Sequence, residues 1–280
     1  MLWPSAARPS PSLAGRHLPI ERNLREMMQF FSLARPNAAL ELRDGLQLVS
    51  SGLDFSPFNS AMLTEPIDDL TGAVLASRLE SAAKFFAARK ERWSFWLCRD
   101  LLPQVVLRRV GGLVLRHGLR QSAEPPGMFL DALPAPPTRP LPLHDLTIEK
   151  VHDTRTRLDF SATTACNFDL PMSICREIYQ VERSWSGTMQ GWVGYWNGQP
   201  VATCAAVATN DCIGLYTIGT VPMVRRKGFA ELIMRHVIAE VSAQTGLTAS
   251  ILQSTPSGYP MYFKMGYRQA TQFSIYLSEH

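Results

Sequence analysis

A chain of 280 residues, 46% hydrophobic and 19% charged, can build ordinary cores, and its length suits two domains better than one. This composition excludes an intrinsically disordered chain, and no window approaches the ~18 consecutive apolar residues of a membrane-spanning helix. The formal charge of +4 is small, and the densest basic stretch, Arg108 to Arg120, is interleaved with Val and Leu as the solvated face of a helix, so no nucleic-acid partner is expected.

The first 18 residues hold prolines and arginines but no apolar run fit for a secretory signal, and they read as a loose tail. In the stretch 19–133, Leu24, Met27, Met28 and Phe31 recur at helical spacing and predict a helix that stops before Pro36. Strands are expected at 45–49 and 59–63, a long amphipathic helix within 68–92, and a strand at 93–97. A helix at 103–117 closed by Gly118 and a strand at 127–130 follow. Five prolines at 134, 136, 137, 140 and 142 make 134–142 a stiff connector and set a domain border. In 143–280 a mixed segment at 146–168 precedes a helix at 172–179. Strands at 191–196 and 200–208 are joined by Asn197-Gly198, a two-residue hairpin turn. A strand at 213–220, a helix at 229–244 ended by Gly246, a strand at 250–253, a short helix at 259–265 and a strand at 272–277 complete the chain.

Five cysteines, at 98, 166, 175, 204 and 212, are odd in number and lack Cys-x-x-Cys spacing. No disulfide framework and no metal site are expected, and a reducing cytoplasm fits.

The chemistry concentrates after the strand at 213–220. Arg225-Arg226-Lys227-Gly228-Phe229-Ala230 places small residues at a turn that opens an amphipathic helix. Amide N–H groups at such a turn converge at the positive end of the helix dipole and form an anion site, to which Arg225, Arg226 and Lys227 add charge. Alone the pattern is weak, since arginine and glycine meet by chance. About thirty residues on come Leu252-Gln253-Ser254 and then Tyr259-Pro260-Met261-Tyr262-Phe263-Lys264-Met265-Gly266-Tyr267.

This order resembles the GNAT N-acetyltransferase superfamily, in which an Arg/Gln-x-x-Gly-x-Gly/Ala turn holds the CoA pyrophosphate and a later helix supplies a tyrosine near the thioester sulfur. The resemblance implies an α+β fold of two tandem GNAT-like domains, each a mixed, mostly antiparallel sheet flanked by helices. It implies acetyl-CoA as acyl donor and a primary amine as acceptor. The turn 225–230 would cradle the pyrophosphate, with Gly228 and Ala230 as its small positions. Main-chain groups around Ile218, Gly219 and Thr220 would receive the pantetheine arm, and Tyr262 would protonate the leaving thiolate. Many relatives carry a general base on the strand before the turn; this strand offers Leu215, Tyr216 and Thr217 instead. Asp169, Glu177 and Glu182 lie in the segment that caps the acceptor site in relatives, and no base is assigned.

The first half repeats the element order without the turn: Glu65, Asp68 and Asp69 stand where a pyrophosphate would be repelled, and Arg108-Arg109-Val110-Gly111-Gly112 falls too late. It reads as a degenerate copy that braces the second. A catalytically weak CoA-binding interaction module is the alternative reading. A duplicated chain reads as a monomer, with a homodimer as the other option.

Overall fold

The computed structural model describes residues 15–137 and 146–278. The first 14 residues of the expected tail and positions 138–142 of the expected connector lie outside them. The chain divides into two units, one of residues 1–127 with 269–280 and one of 128–268.

In the first unit, α1 (His17–Met28) buries Ile20, Leu24, Met27 and Met28 and gives way at Gln29 to a tight turn that buries Phe30 and Phe31. β1 (Ala39–Arg43) and β2 (Leu46–Ser50) form a hairpin about Asp44 and Gly45, whose φ angles of 52° and 71° are those a two-residue turn requires. β3 (Ser60–Leu63) pairs antiparallel with β2, and after α2 (Ala73–Arg89) the strand β4 (Ser94–Cys98) pairs parallel with β3. The single helix expected at 103–117 is two, α3 (Gln104–Leu107) and α4 (Val110–Leu115). Gly111 and Gly112 lower helix propensity by about 1 kcal/mol each, and the chain tightens at Arg109, whose N–H bonds three residues back to Val106. β5 (Leu119–Ala123) pairs with β12 (Arg268–Ser278), which also pairs antiparallel with β4 from Phe273↔Cys98 to Leu277↔Ser94. Chain order placed this last strand in the second half; its hydrogen bonds give it to the first unit.

The second unit has the strand order β6 (Pro126–Leu130), β11 (Ser250–Gln253), β10 (Ile213–Thr220), β9 (Gln199–Ala208), β8 (Met189–Trp196), β7 (Leu146–Lys150). β10 runs parallel to β11, and β9, β8 and β7 continue antiparallel. The mixed segment 146–168 resolves into β7 and α5 (Thr154–Phe168). Asp153 starts α5 by accepting from the Thr156 N–H at 2.7 Å while the Thr156 hydroxyl bonds back to the Asp153 N–H, a reciprocal cap. Side chains alternate across the sheet. One set, Trp192, Cys204, Ala206 and Leu215, packs beneath α7 (Phe229–Thr245) through Leu232, Ile233, Val237 and Ile238. On the other face lie α5 and α6 (Met172–Tyr179), with Phe160, Tyr179 and Trp185 meeting as a ring cluster. α8 (Tyr259–Met265) closes the unit. Both units are therefore mixed, mostly antiparallel sheets with helices against them. Among the described residues no helix is long and apolar enough to cross a membrane.

Candidate active site

β10 is built to come apart from its neighbour. Its parallel pairing to β11 covers Ile213↔Ser250 and Gly214↔Ile251 and ends there, six residues before the strand does. On its other edge, Tyr216 pairs with Ala205 and Gly219 with Thr203, so two residues of β10 face one of β9. That bulge puts Thr217 at φ 47°, left-handed and uncommon for a β-branched residue. The Thr203 hydroxyl steadies it by donating to the Thr217 carbonyl at 2.8 Å. The consequence is a strand end whose main-chain groups on the side away from β9 meet no strand among the described residues. Ile218 packs its side chain on the core beneath α7, so its contribution to such an edge is its backbone.

The turn follows at once. Val221 still bonds to β9, the exposed Met223 rounds a short Pro222–Val224 turn, and Arg226 (φ 67°) and Gly228 (φ 89°) bend the chain left-handed into α7. Gly228 caps the helix, and its carbonyl accepts from the Leu232 N–H at 3.0 Å. The N–H groups of Phe229, Ala230 and Glu231 precede the first intrahelical bond and remain available to an anion.

The three cations of the turn separate into different roles. Arg225 folds back, its Nε donating to the Thr220 carbonyl at 3.0 Å and an Nη reaching the Asn167 carbonyl at 3.4 Å. It ties the turn to the strand end and to α5. Lys227 lies over the Trp196 ring with Nζ 4.4 Å from the centroid, a cation–π contact that holds the ammonium beside the turn. Arg226 is exposed. Phe229 is buried and packs 5.8 Å from Trp196, so its side chain anchors the helix while only its N–H faces the turn.

Tyr262 is buried in the same core cluster as Leu215, Phe229 and Ile218. Its hydroxyl meets no hydrogen-bond partner among the described residues, whereas the neighbouring Tyr267 hydroxyl is matched with Ser250 at 2.7 Å. Gly258 makes room for Tyr262, since a Cβ there would fall 2.7 Å from the ring. Burial, helped by Cys204 and Tyr267, drives the Tyr262 phenol well above its ordinary value and keeps it protonated. Tyr259 stacks on Phe263 instead, with Arg268 over the Phe263 ring.

Burial likewise raises the phenols of Tyr179, Tyr216 and Tyr267. The unfolded chain releases these four protons near pH 10, while the folded chain holds them to higher pH. Stability is therefore full below about pH 10 and falls as pH climbs past it. Denaturant midpoints measured in steps across that value should drop ever more steeply, and a flat midpoint would contradict the burial of these hydroxyls.

In the first unit the corresponding place is already filled. Gly72 starts α2 at φ 83°, as Gly228 starts α7. There the Asp69 carboxylate accepts from the Thr71 N–H at 2.9 Å, the Thr71 hydroxyl at 2.7 Å and the Val74 N–H at 3.1 Å. These donors lower its pKa to about 2. The chain supplies its own anion to that helix end.

The sequence missed Asn167, at the end of α5, and Thr203. Neither belongs to a local pattern, and only the packing of α5 on β9 and β10 brings them to the bulge.

A profile of the acetyltransferase (GNAT) domain family matches residues 167–274, a span that opens at Asn167 and contains β10, the turn and α8. A GCN5-related N-acetyltransferase of Kribbella flavida superposes with a TM-score of 0.67 at 18% identity, covering 95% of this chain and 97% of that one. A conserved protein of unknown function from Staphylococcus epidermidis gives 0.62 at 15% identity, over 88% of this chain and 96% of that one. A tandem GNAT protein from the clavulanic acid biosynthesis pathway gives 0.56 at 13% identity, covering 90% and 86%. No curated protein matches the sequence. The structural likenesses show the fold, and the profile shows a GNAT acetyltransferase domain over residues 167–274 of the chain.

Proposed function

We propose that the second unit transfers an acetyl group from acetyl-CoA to a primary amine by direct attack with both substrates bound. The observation that carries this reading is the continuous run of bulged, half-unpaired strand, left-handed glycine turn and open helix start from Tyr216 to Ala230. A CoA pyrophosphate suits the N–H groups at the start of α7, with Lys227 beside them. The pantetheine arm, an extended chain with amide groups, suits the free edge of β10 at Ile218, Gly219 and Thr220 as an added strand. The thioester would then lie at the splay, within the core region that Tyr262 closes.

Chemically, the amine nitrogen forms a bond to the acetyl carbon, the carbon–sulfur bond breaks, and the departing thiolate takes the Tyr262 proton. The nitrogen loses its surplus proton to solvent, from which the phenol is restored. Holding the two reactants in line supplies much of the acceleration. The first unit, whose helix end is occupied by Asp69, binds no CoA on this reading.

The purified chain with acetyl-CoA and a panel of primary amines should release free thiol in step with acetylated amine. CoA binding without turnover on any amine supports instead an interaction module, the reading favoured by the lack of a carboxylate on β10. Failure to bind CoA removes both.

A further inference from the structure

Asn167 lies directly against the bulge. A Cβ at Gly219 would fall 2.4 Å from its Nδ2, so glycine is what allows α5 to approach there. Nδ2 donates to the Thr203 hydroxyl at 3.4 Å, and that hydroxyl spends its single proton on the Thr217 carbonyl at 2.8 Å. With that proton committed, the Thr203 oxygen can only accept from Asn167, which turns the amide nitrogen toward Thr203 and its oxygen elsewhere. This Oδ1 is buried and meets no donor among the described residues. The hydroxyls of Thr217 on the bulge, and of Thr163 and Thr164 one turn earlier on α5, are also buried and meet no partner among the described residues. Leaving a buried acceptor bare costs about 1–3 kcal/mol, a cost that an N–H brought by a ligand removes. The same residue's main-chain oxygen is reached by Arg225, so Asn167 adjoins both the strand end and the turn.

We propose that Asn167 Oδ1 accepts a hydrogen bond from the acceptor amine, holds it uncharged above the bulge, and so selects weakly basic primary amines over lysine-like ones. The inference rests on the acetyl-transfer reading. An amide oxygen takes one N–H of a neutral amine and leaves the nitrogen lone pair free to attack, whereas a carboxylate would favour the ammonium, which has none. Near pH 7 an α-amine is roughly a tenth uncharged, but a lysine-like amine less than about one part in a thousand. The charged and titratable neighbours do not change this. Arg225 comes from the turn; on α5, Arg157 pairs with Glu182 at 3.4 Å and Asp159 accepts from Tyr195 at 2.8 Å. Asp169, Arg176 and Glu177 are exposed, and the Tyr216 phenol of β10 is kept protonated by burial.

The test is steady-state kinetics of the wild type, Asn167→Ala, Asn167→Asp and Asp169→Asn, with an α-amine and a lysine-type amine across the neutral pH range and CoA affinity read by calorimetry. Wild type should favour the α-amine at least tenfold, roughly as the uncharged fractions dictate. Asn167→Ala should lower kcat/KM for the amine about thirtyfold, mostly through KM, with CoA affinity within about threefold. Asn167→Asp should lower KM for the lysine-type amine without restoring kcat, because the ammonium it favours has no lone pair; Asp169→Asn should behave as wild type. Unchanged amine kinetics in Asn167→Ala, a loss confined to CoA affinity, or a large loss in Asp169→Asn overturns this inference in an enzyme whose acetyl transfer stands. Wild type that acetylates nothing removes the acetyl-transfer reading, and this inference falls with it.

Discussion

Gly228→Val should loosen CoA binding by about two orders of magnitude while the protein stays folded. Gly228 sits at φ 89°, where a β-branched side chain is strained by roughly 1–3 kcal/mol. The chain relieves that strain by rotating the peptide units of the turn, which swings the N–H groups at the start of α7 off their common target. Each hydrogen bond to a charged group is worth about 1.5–3 kcal/mol, so losing two of them is at least a hundredfold in Kd. The fold survives because α7 is held by Ile233, Val237, Ile238 and Val241, all buried one turn or more beyond the mutation. Calorimetric titration with CoA, paired with a thermal melt, separates the two quantities. A folded variant that binds CoA within about threefold of wild type would show that the pyrophosphate does not lie on this turn.

Tyr262→Phe should lower kcat about a hundredfold and leave CoA affinity nearly unchanged. General acid catalysis is commonly worth 10²–10⁴, and here the whole effect belongs to one hydroxyl. The ring itself fills core space beside Leu215 and Phe229, so phenylalanine preserves packing. Because the hydroxyl has no partner to lose among the described residues, the variant should melt no lower than wild type, in contrast to Tyr267→Phe, which strands Ser250. Burned-in discrimination comes from the pair of measurements: lower kcat with unchanged melting marks Tyr262 as the proton donor, whereas full activity assigns that donation to another group or to water.

Much of the second unit was legible because its signals are local. Asn197-Gly198 fixes a hairpin by itself, Gly246 ends α7, and the turn at 225–230 declares a helix start through residue types alone. The elements that escaped lack such signals. β1 exposes Leu40 and Leu42, and β5 buries only Leu119, so neither edge strand shows the alternation that marks a half-buried strand. Within the motif, residue type did not reveal direction. Phe229 belongs to the turn by position but to the core by side chain, and Arg225 turns its guanidinium to Thr220 and Asn167. Asn167 reads in sequence as an ordinary residue near a helix end, and the orientation of its amide is set only by Thr203 of β9, whose own proton goes to the Thr217 carbonyl.

The strand β12 also sets an order of events during synthesis. The first unit is half of the chain by sequence, yet β4 and β5 receive their partner only from residues at the extreme C-terminus. At ribosomal speeds of about 5–20 residues per second, the intervening stretch delays that strand by roughly 10–30 s. Through that interval the nascent first unit displays unpaired edges on β4 and β5. The unit that emerges first is thus the one that matures last, and loss of β12 would be felt in the first unit rather than in the second, which lies next to it in sequence.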